Sequence, residues 1–481
     1  MALLLSHKVY TSVFANENWI RLQRTFVLAW GEPMYPAKDT GPVFTAIYGP
    51  VSALAYLAAV LGRSPEAVMR IASASGIACF FLPVLWVFTA GRFGAERGRL
   101  YGLIAFFACA FMPFLFPSLR TAAFLIHADA PTLGLMTLAC GSLYFGRSYL
   151  LAAVFAAIAV WSKQVALPFG LILGLYVWAR DGGGALARYL VYLAAATAAV
   201  TALVFALFPA KDVLFNVFTV PAHQPWKENG GWPAVAHGLP VLLRESLIML
   251  ILTGAAVRVL KLGPQGTRKL RPWLNANRWF IWVWAGVAMA PAAAAGFLKI
   301  GGSRNALSYT TFFLTVGAFL AFIEPLRRPA DFEAASVSKA KRLAVAAATV
   351  LLLVQAPALY MKYLITPLPP NAARTAYDFI RRHPGEAYFP RLGLIHMLAE
   401  GKIYHDSSAL MDRAWAGMRL SEKHVRAHIP DKIRLVAFIR GTSDDRGWID
   451  IPEIDCRTTD PELPGFRVYI GKGLCSGDDP G

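Results

Sequence analysis

The chain has 481 residues, 56% of them hydrophobic and 16% charged, with 47 Lys and Arg against 29 Asp and Glu for a net charge of +18 and a mean hydropathy of +0.47. Apolar runs of about 20 residues exclude a string of soluble domains, and the absence of two-residue alternation excludes a transmembrane barrel. The excess of basic residues is first a matter of membrane topology, so no nucleic-acid partner is called for.

Taken in order, residues 1–41 contain no spanning run. Met1–Leu5 is too short, His7 and Lys8 interrupt it, and no basic flank precedes it as in a leader peptide. This interval carries Asn16-Glu17-Asn18-Trp19 and then Gly31-Glu32-Pro33-Met34-Tyr35-Pro36, followed by Asp39. It reads as a first extracytoplasmic loop with an acidic motif. Residues 42–62 are apolar but broken at Gly49-Pro50, so they either cross or dip in and return. Spans are expected at about 68–90, 98–117, 131–146, 149–162, 165–179, 187–209, 239–258, 278–297, 306–326 and 343–364. Residues 42–364 thus form an all-α polytopic membrane domain of about 10–11 spans.

Alternate loops hold Arg92, Arg97, Arg99, Arg147, Arg180, Arg188, Arg258, Lys261, Arg268, Lys269, Arg271, Arg278, Arg327, Arg328, Lys339, Lys341 and Arg342. They outnumber the basic residues of the intervening loops by about two to one, which places them in the cytoplasm. Everything after residue 365 then lies outside, and so does the Glu17 stretch provided 42–62 does not cross. An outside N-terminus with no span before it leads us to expect a first helix missing from the start, or a natural beginning other than Met1.

The tail, 365–481, reads as a small α/β domain, with helical character over 376–382 and strand character over 433–439 and 466–470. Cys79, Cys109 and Cys140 fall in apolar runs as small buried hydrophobes. Cys456 and Cys475 share the tail, where a disulfide and two free thiols both stay open.

Several polar residues stand out against this background. Glu17 could be a general base at the outer face, or only the partner of Arg21 four residues on along an interfacial helix. Asp129, with Pro131 after it, could simply begin a helix, yet Arg120, His127 and Asp129 also form a set able to hold a phosphate and take a proton. Lys163 lies between two short apolar segments, where a cation needs a wet cavity or a partner. Lys299-Ile300-Gly301-Gly302-Ser303-Arg304-Asn305 offers open backbone N–H groups and two cations for a phosphate, although Gly-Gly equally makes a tight turn. Arg244-Glu245 reads as a self-compensating pair. No phosphate-binding loop, dinucleotide fingerprint or Cys/His metal spacing occurs.

The order of these elements resembles the GT-C class of membrane glycosyltransferases, including the family 39 protein O-mannosyltransferases, aminoarabinose transferases and galacturonosyltransferase-type enzymes. Asn16-Glu17-Asn18-Trp19 resembles their first-loop acidic motif, Asp129 their second-loop acid after an Arg, and Trp161-Ser162-Lys163-Gln164 their Thr-Lys-Gly element, with Gln164 where Gly is common. Gly301-Gly302-Ser303-Arg304-Asn305 is similar to a late-loop element. The resemblance covers roughly residues 12–326. It implies a sugar donor on a polyprenyl phosphate, a lipid, glycan or protein acceptor, and inversion at the anomeric centre. Glu17 or Asp129 would serve as base, and Arg120, His127, Lys163, Lys299, Arg304, Asn305 and Tyr35 would contact substrate. No cofactor is fixed, and a divalent cation stays open. Two other readings remain beside the transferase, a transporter or flippase of lipid-linked sugars and a scaffold without activity.

Overall fold

A computed structural model describes residues 16–90, 106, 108–146, 148–259, 270–326, 371–440, 451 and 454–471. The expected span at 343–364, most of the basic loop residues and Cys475 lie outside them, as does part of 98–117.

The acidic stretch is not a loop but a helix, α1 (Asn16–Ala29). It is buried on nearly every side, with Trp19, Leu22, Phe26 and Val27 packed alongside Asn18, Gln23 and Arg24. A helix so enclosed belongs to a core rather than to a water-facing surface. Gly31, at φ +78, ends it, because the left-handed residue lets its own N–H and that of Glu32 turn back to the carbonyls of Leu28 and Val27.

Residues 42–49 form neither helix nor strand, and two short turns follow, α2 (Pro50–Leu54) and a 3₁₀ turn over Leu57–Leu61. Each is five residues long, so this segment dips and returns without crossing. Gly49 makes the dip possible. A Cβ there would stand 1.9 Å from the carbonyl oxygen of Trp161, whose backbone instead accepts the Val51 N–H at 3.1 Å.

The long elements follow. α3 (Pro65–Thr89) starts at Ser64, whose side chain accepts the Ala67 N–H. α4 (Pro117–Phe124) and α5 (Asp129–Phe145) meet at a bend of 100°. Then come α6 (Tyr149–Val160), α7 (Phe169–Asp181), α8 (Gly183–Leu207), α9 (Gly231–Val259), the consecutive pair α10 (Phe280–Ala288) and α11 (Ala290–Leu298), and α12 (Ser308–Leu326). Among the described residues four helices are long and apolar enough to cross a bilayer, or five if the bent α4–α5 pair counts as one span. α8 leaves Val191, Leu203 and Leu207 exposed, an apolar surface that only lipid satisfies. The protein is a mostly helical, multi-pass membrane protein. α6 and α7, expected as spans, have 12 and 13 residues and are short for the purpose.

The two ends of the bundle differ. Asp129 opens α5, and Leu143 and Tyr144 lie near its far end, about 20 Å away at the helical rise. At that far end Arg180 pairs with Asp181 at 2.7 Å and donates to the Leu143 carbonyl, and Arg278 reaches the Tyr144 carbonyl. The basic loop residues Arg180 and Arg278 therefore gather on one side, and the acidic N-terminal elements on the other.

The tail forms an α/β domain on the Asp129 side. It holds α13 (Ala372–Arg382), β1 (Ala387–Tyr388), α14 (Gly393–Glu400), α15 (Ser407–Trp415), β2 (Leu435–Ile439), β3 (Ile454–Thr458) and β4 (Phe466–Gly471). The sheet order is β1-β2-β4-β3, with β1 parallel to β2 and the other pairs antiparallel. Phe389, Leu392 and Ile395 join Trp19, Leu22 and Phe26 of α1 in one apolar core, so the tail is seated on α1. Cys456 is disulfide-bonded.

Candidate active site

The α4–α5 corner carries non-helical backbone at the head of an apolar helix, where each N–H and C=O needs a partner. Asn18 of α1 accepts the Ile126 N–H at 3.0 Å, and the Tyr56 hydroxyl donates to the His127 carbonyl at 2.7 Å while receiving the His127 N–H. The corner thereby delivers His127 and Asp129 to the same point.

Asp129 is fully buried and has four donors. Lys163 Nζ and the Tyr309 hydroxyl reach one carboxylate oxygen at 2.6 and 2.7 Å; Asn305 Nδ2 reaches the other at 2.5 Å, where His127 Nδ1 also makes a short contact. Lys163 comes from the turn between α6 and α7 and lies over the Tyr48 and Tyr309 rings at 5.3 and 5.5 Å. Two charges in so dry a place are tolerable because each is paired and hydrogen-bonded.

His127 turns its other nitrogen outward, to the Tyr48 hydroxyl at 3.0 Å. There a narrow cleft opens, walled by Arg21, Arg24, Thr45, Tyr48 and Tyr56, with a volume of about 10 Å³, room for about one water. Arg24 is fixed by the Tyr48 carbonyl at 3.0 Å and the Ser52 hydroxyl at 2.5 Å. Arg21 pairs with Glu17 at 2.6 Å, the helical pair expected of an interfacial helix. That guanidinium holds the Glu17 carboxyl below the usual range, with His127 and Arg391 adding to the effect. Glu17 is thus near enough to His127 for their charges to interact, and His127 touches Asp129.

The tail closes the site from the other side. Asp406 caps α15 by accepting the Ala409 N–H at 2.6 Å, and the same carboxylate takes the Thr45 N–H at 2.5 Å and the Thr45 hydroxyl at 3.2 Å. His405 Nδ1 accepts the Val43 N–H at 2.8 Å, which requires the neutral ring, and burial lowers its pKa to about 4. Further along α15, Asp412 receives the Gln224 amide at 2.8 Å, and Arg413 donates to the carbonyls of Lys38 and Ala37 over the Phe215 ring. The first loop and the tail therefore lie on the same face.

Of the residues singled out in the sequence, Asp129, His127, Lys163 and Asn305 converge, with Glu17 at the rim. The others stand apart. Lys299 donates to the Ala222 and Gln224 carbonyls and lies over the Trp226 ring, so it fixes the connection that carries Gln224. Arg304 is exposed, with the buried Glu245 as an electrostatic neighbour, and Arg120 is half-buried on α4. Tyr35 is buried and donates to the Tyr48 carbonyl at 3.0 Å, positioning that residue from behind. The Gly301-Gly302 segment is the tight turn: the Gly302 N–H is spent on the Lys299 carbonyl and its own carbonyl on Lys227, so this backbone does not offer itself to an anion as expected. Arg244-Glu245 is not a simple pair either, since Arg244 is exposed and Glu245 is buried with one oxygen unbonded. Tyr48, Tyr309, Arg24, Asp406 and Asp412 carried no local pattern in the sequence that marks them.

A divalent cation does not fit the donor set. Both Asp129 oxygens are filled, Glu17 is held by Arg21 and Asp406 by backbone N–H groups, and among the described residues no three His, Cys, Asp or Glu side chains are placed to share an ion.

Beside the site, α7 and α8 form an apolar groove of about 790 Å³ lined by Leu171, Leu193, Ala194, Ala198, Thr201 and Phe205 among others. Thr201 accepts the Trp161 indole N–H at 3.1 Å, and the Phe205 ring meets Trp161 edge-on, two residues before Lys163.

No family model matches the sequence, and no curated protein matches it. Among solved structures, two crystal structures of the Archaeoglobus fulgidus oligosaccharyltransferase are similar, one in the apo form and one tethered by a disulfide to an acceptor peptide containing the NVT sequon. Their TM-scores are 0.43 and 0.42 at 14% identity, over 91% of this chain and 69% and 68% of theirs. Likeness at that level leaves function to be argued from the site itself.

Proposed function

We propose that the protein is a membrane glycosyltransferase of GT-C type. It moves a sugar from a polyprenyl-phosphate donor to an acceptor hydroxyl on the extracytoplasmic face, where α1, the first loop and the tail meet. The observation that carries this reading is the buried Asp129–Lys163–His127 network opening through Tyr48 into a cleft walled by the guanidinium groups of Arg21 and Arg24. Cations fixed at a dry site before reaction stabilise charge developing on a departing phosphate. Asp129, with four donors, positions Lys163 and His127. The apolar groove on α7 and α8 supports a donor whose lipid chain stays in the bilayer while its head reaches the site past Trp161. Because the cleft has room for about one water, the sugar enters as the first loop and α15 part, and their closure excludes solvent. The displacement inverts the anomeric centre in a single step.

The test uses the full chain, purified in detergent and given a panel of undecaprenyl-phosphate-linked monosaccharides with water or added glycan as acceptor. Sugar transfer with release of undecaprenyl phosphate is expected from the native protein, and its loss from Asp129→Asn and Lys163→Met. Translocation of labelled lipid without its consumption would refute the transferase reading in favour of a flippase.

A further inference from the structure

Transfer to a hydroxyl needs a receiver for its proton; Asp406, beside the cleft, is filled by the Ala409 and Thr45 N–H groups and the Thr45 hydroxyl, which leaves three carboxylates to weigh. Asp129 has both oxygens filled by Lys163, Tyr309, Asn305 and His127. Glu17 is locked to Arg21 at 2.6 Å, and its side chain is 59% exposed. A carboxylate stabilised in that way is a weak base. Asp412 differs from both. It is buried on α15, and among the described residues its carboxylate is hydrogen-bonded by a neutral group, the Gln224 amide, with no Lys, Arg or His side chain bonded to it. Arg413 beside it is turned away to the Lys38 and Ala37 carbonyls. The helix that carries it, α15, is anchored to the Thr45 wall of the cleft by the Asp406 bonds, and Arg21 and Tyr48, two further walls, act on Asp412 electrostatically.

We infer that Asp412 is the general base of the reaction, so that the tail supplies a catalytic group to the membrane domain. The assignment rests on the transferase reading above. In the step it implies, the acceptor oxygen bonds to the anomeric carbon as its proton passes to the Asp412 carboxylate. The bond from that carbon to the phosphate oxygen breaks, and the electron pair leaves with the polyprenyl phosphate. Burial, with the Asp406 charge one and a half turns away, pushes Asp412 up to about 7, while the Gln224 amide and Arg21 act in the opposite direction. A base near the working pH is the most effective kind.

The experiment measures kcat, donor KM and the pH profile of the full chain with the undecaprenyl-phosphate donor that it turns over. Asp412→Asn should lower kcat by about 100- to 10,000-fold with donor KM unchanged, the range for losing a general base. In the native protein the rate should fall about tenfold per pH unit below about 7, and Asp412→Glu should keep that limb at a reduced rate. Gln224→Ala breaks the same hydrogen bond but leaves the carboxylate, and it should keep the pH limb too. An Asp412→Asn enzyme with native kcat, or with an unchanged acid limb, overturns the assignment and leaves the transferase reading standing. A native protein that transfers no sugar overturns both.

Discussion

Replacing Lys163 with Met tests whether the Asp129 network is held together as described. The ammonium lies 2.6 Å from a fully buried carboxylate, and two of the other donors, Tyr309 and Asn305, are neutral groups. At that distance and an effective dielectric near 20 the gross attraction is about 6 kcal/mol. Part of it offsets the cost of drying the lysine, so the expected net loss is about 3–5 kcal/mol, the usual result of leaving one member of a buried pair alone. Thermal and denaturant unfolding in detergent, followed by tryptophan fluorescence, measures this. The second arm is the double variant Lys163→Met with Asp129→Asn, which removes both charges and should be more stable than Lys163→Met by about 2 kcal/mol or more. Neither variant should transfer sugar. A Lys163→Met protein as stable as the native one, or a double variant whose losses simply add, would refute the claim that the pair is a coupled buried unit.

Other outcomes follow from the same contacts. Gly49→Ala would place a methyl 1.9 Å from the Trp161 carbonyl oxygen, so the Val51–Trp161 bond must break; detergent extracts should yield unfolded or aggregated protein, with a cost of about 3 kcal/mol or more. Asp412 has its folded pKa raised to about 7, so the folded state holds the proton more tightly and native stability declines as pH rises from about 4 to 7. Asp412→Asn removes that dependence. Above pH 7 it should be more stable than the native protein by up to about 4 kcal/mol, read as the change in the difference between their unfolding free energies from pH 4 to pH 8. Ala198→Phe should fill the α7–α8 groove and raise the donor KM with little change in melting temperature, whereas an unchanged KM would detach the groove from donor binding.

Membrane character, the break at Gly49-Pro50 and the strands of the tail are readable because each depends on neighbours in sequence: run length, a turn-forming pair, alternation; that the broken segment dips and does not cross is decided by the fold. The candidacy of Asp129 and Lys163 is readable too, since a charge within an apolar run demands compensation wherever it ends up. The first acidic stretch reads as a water-facing loop or an interfacial helix for the same local reason. Its polar residues suggest solvent, but Asn18 and Arg24 are buried by groups far along the chain. Asn18 accepts the Ile126 N–H across 108 residues and Arg24 donates to the Ser52 hydroxyl across 28, and no pattern within α1 announces either.

What the sequence determined by itself was the solvent each segment needs, because transfer from water to lipid is nearly additive residue by residue. Which polar groups meet was decided only in three dimensions. The 100° corner at Leu125–Ala128 aims His127 and Asp129 at Lys163, and the seating of α15 on the first loop brings Asp406 to Thr45 and Asp412 to Gln224 across more than a hundred residues. Electrostatics in a dry interior is pairwise and depends steeply on distance, so it belongs to the fold and not to any stretch of the chain.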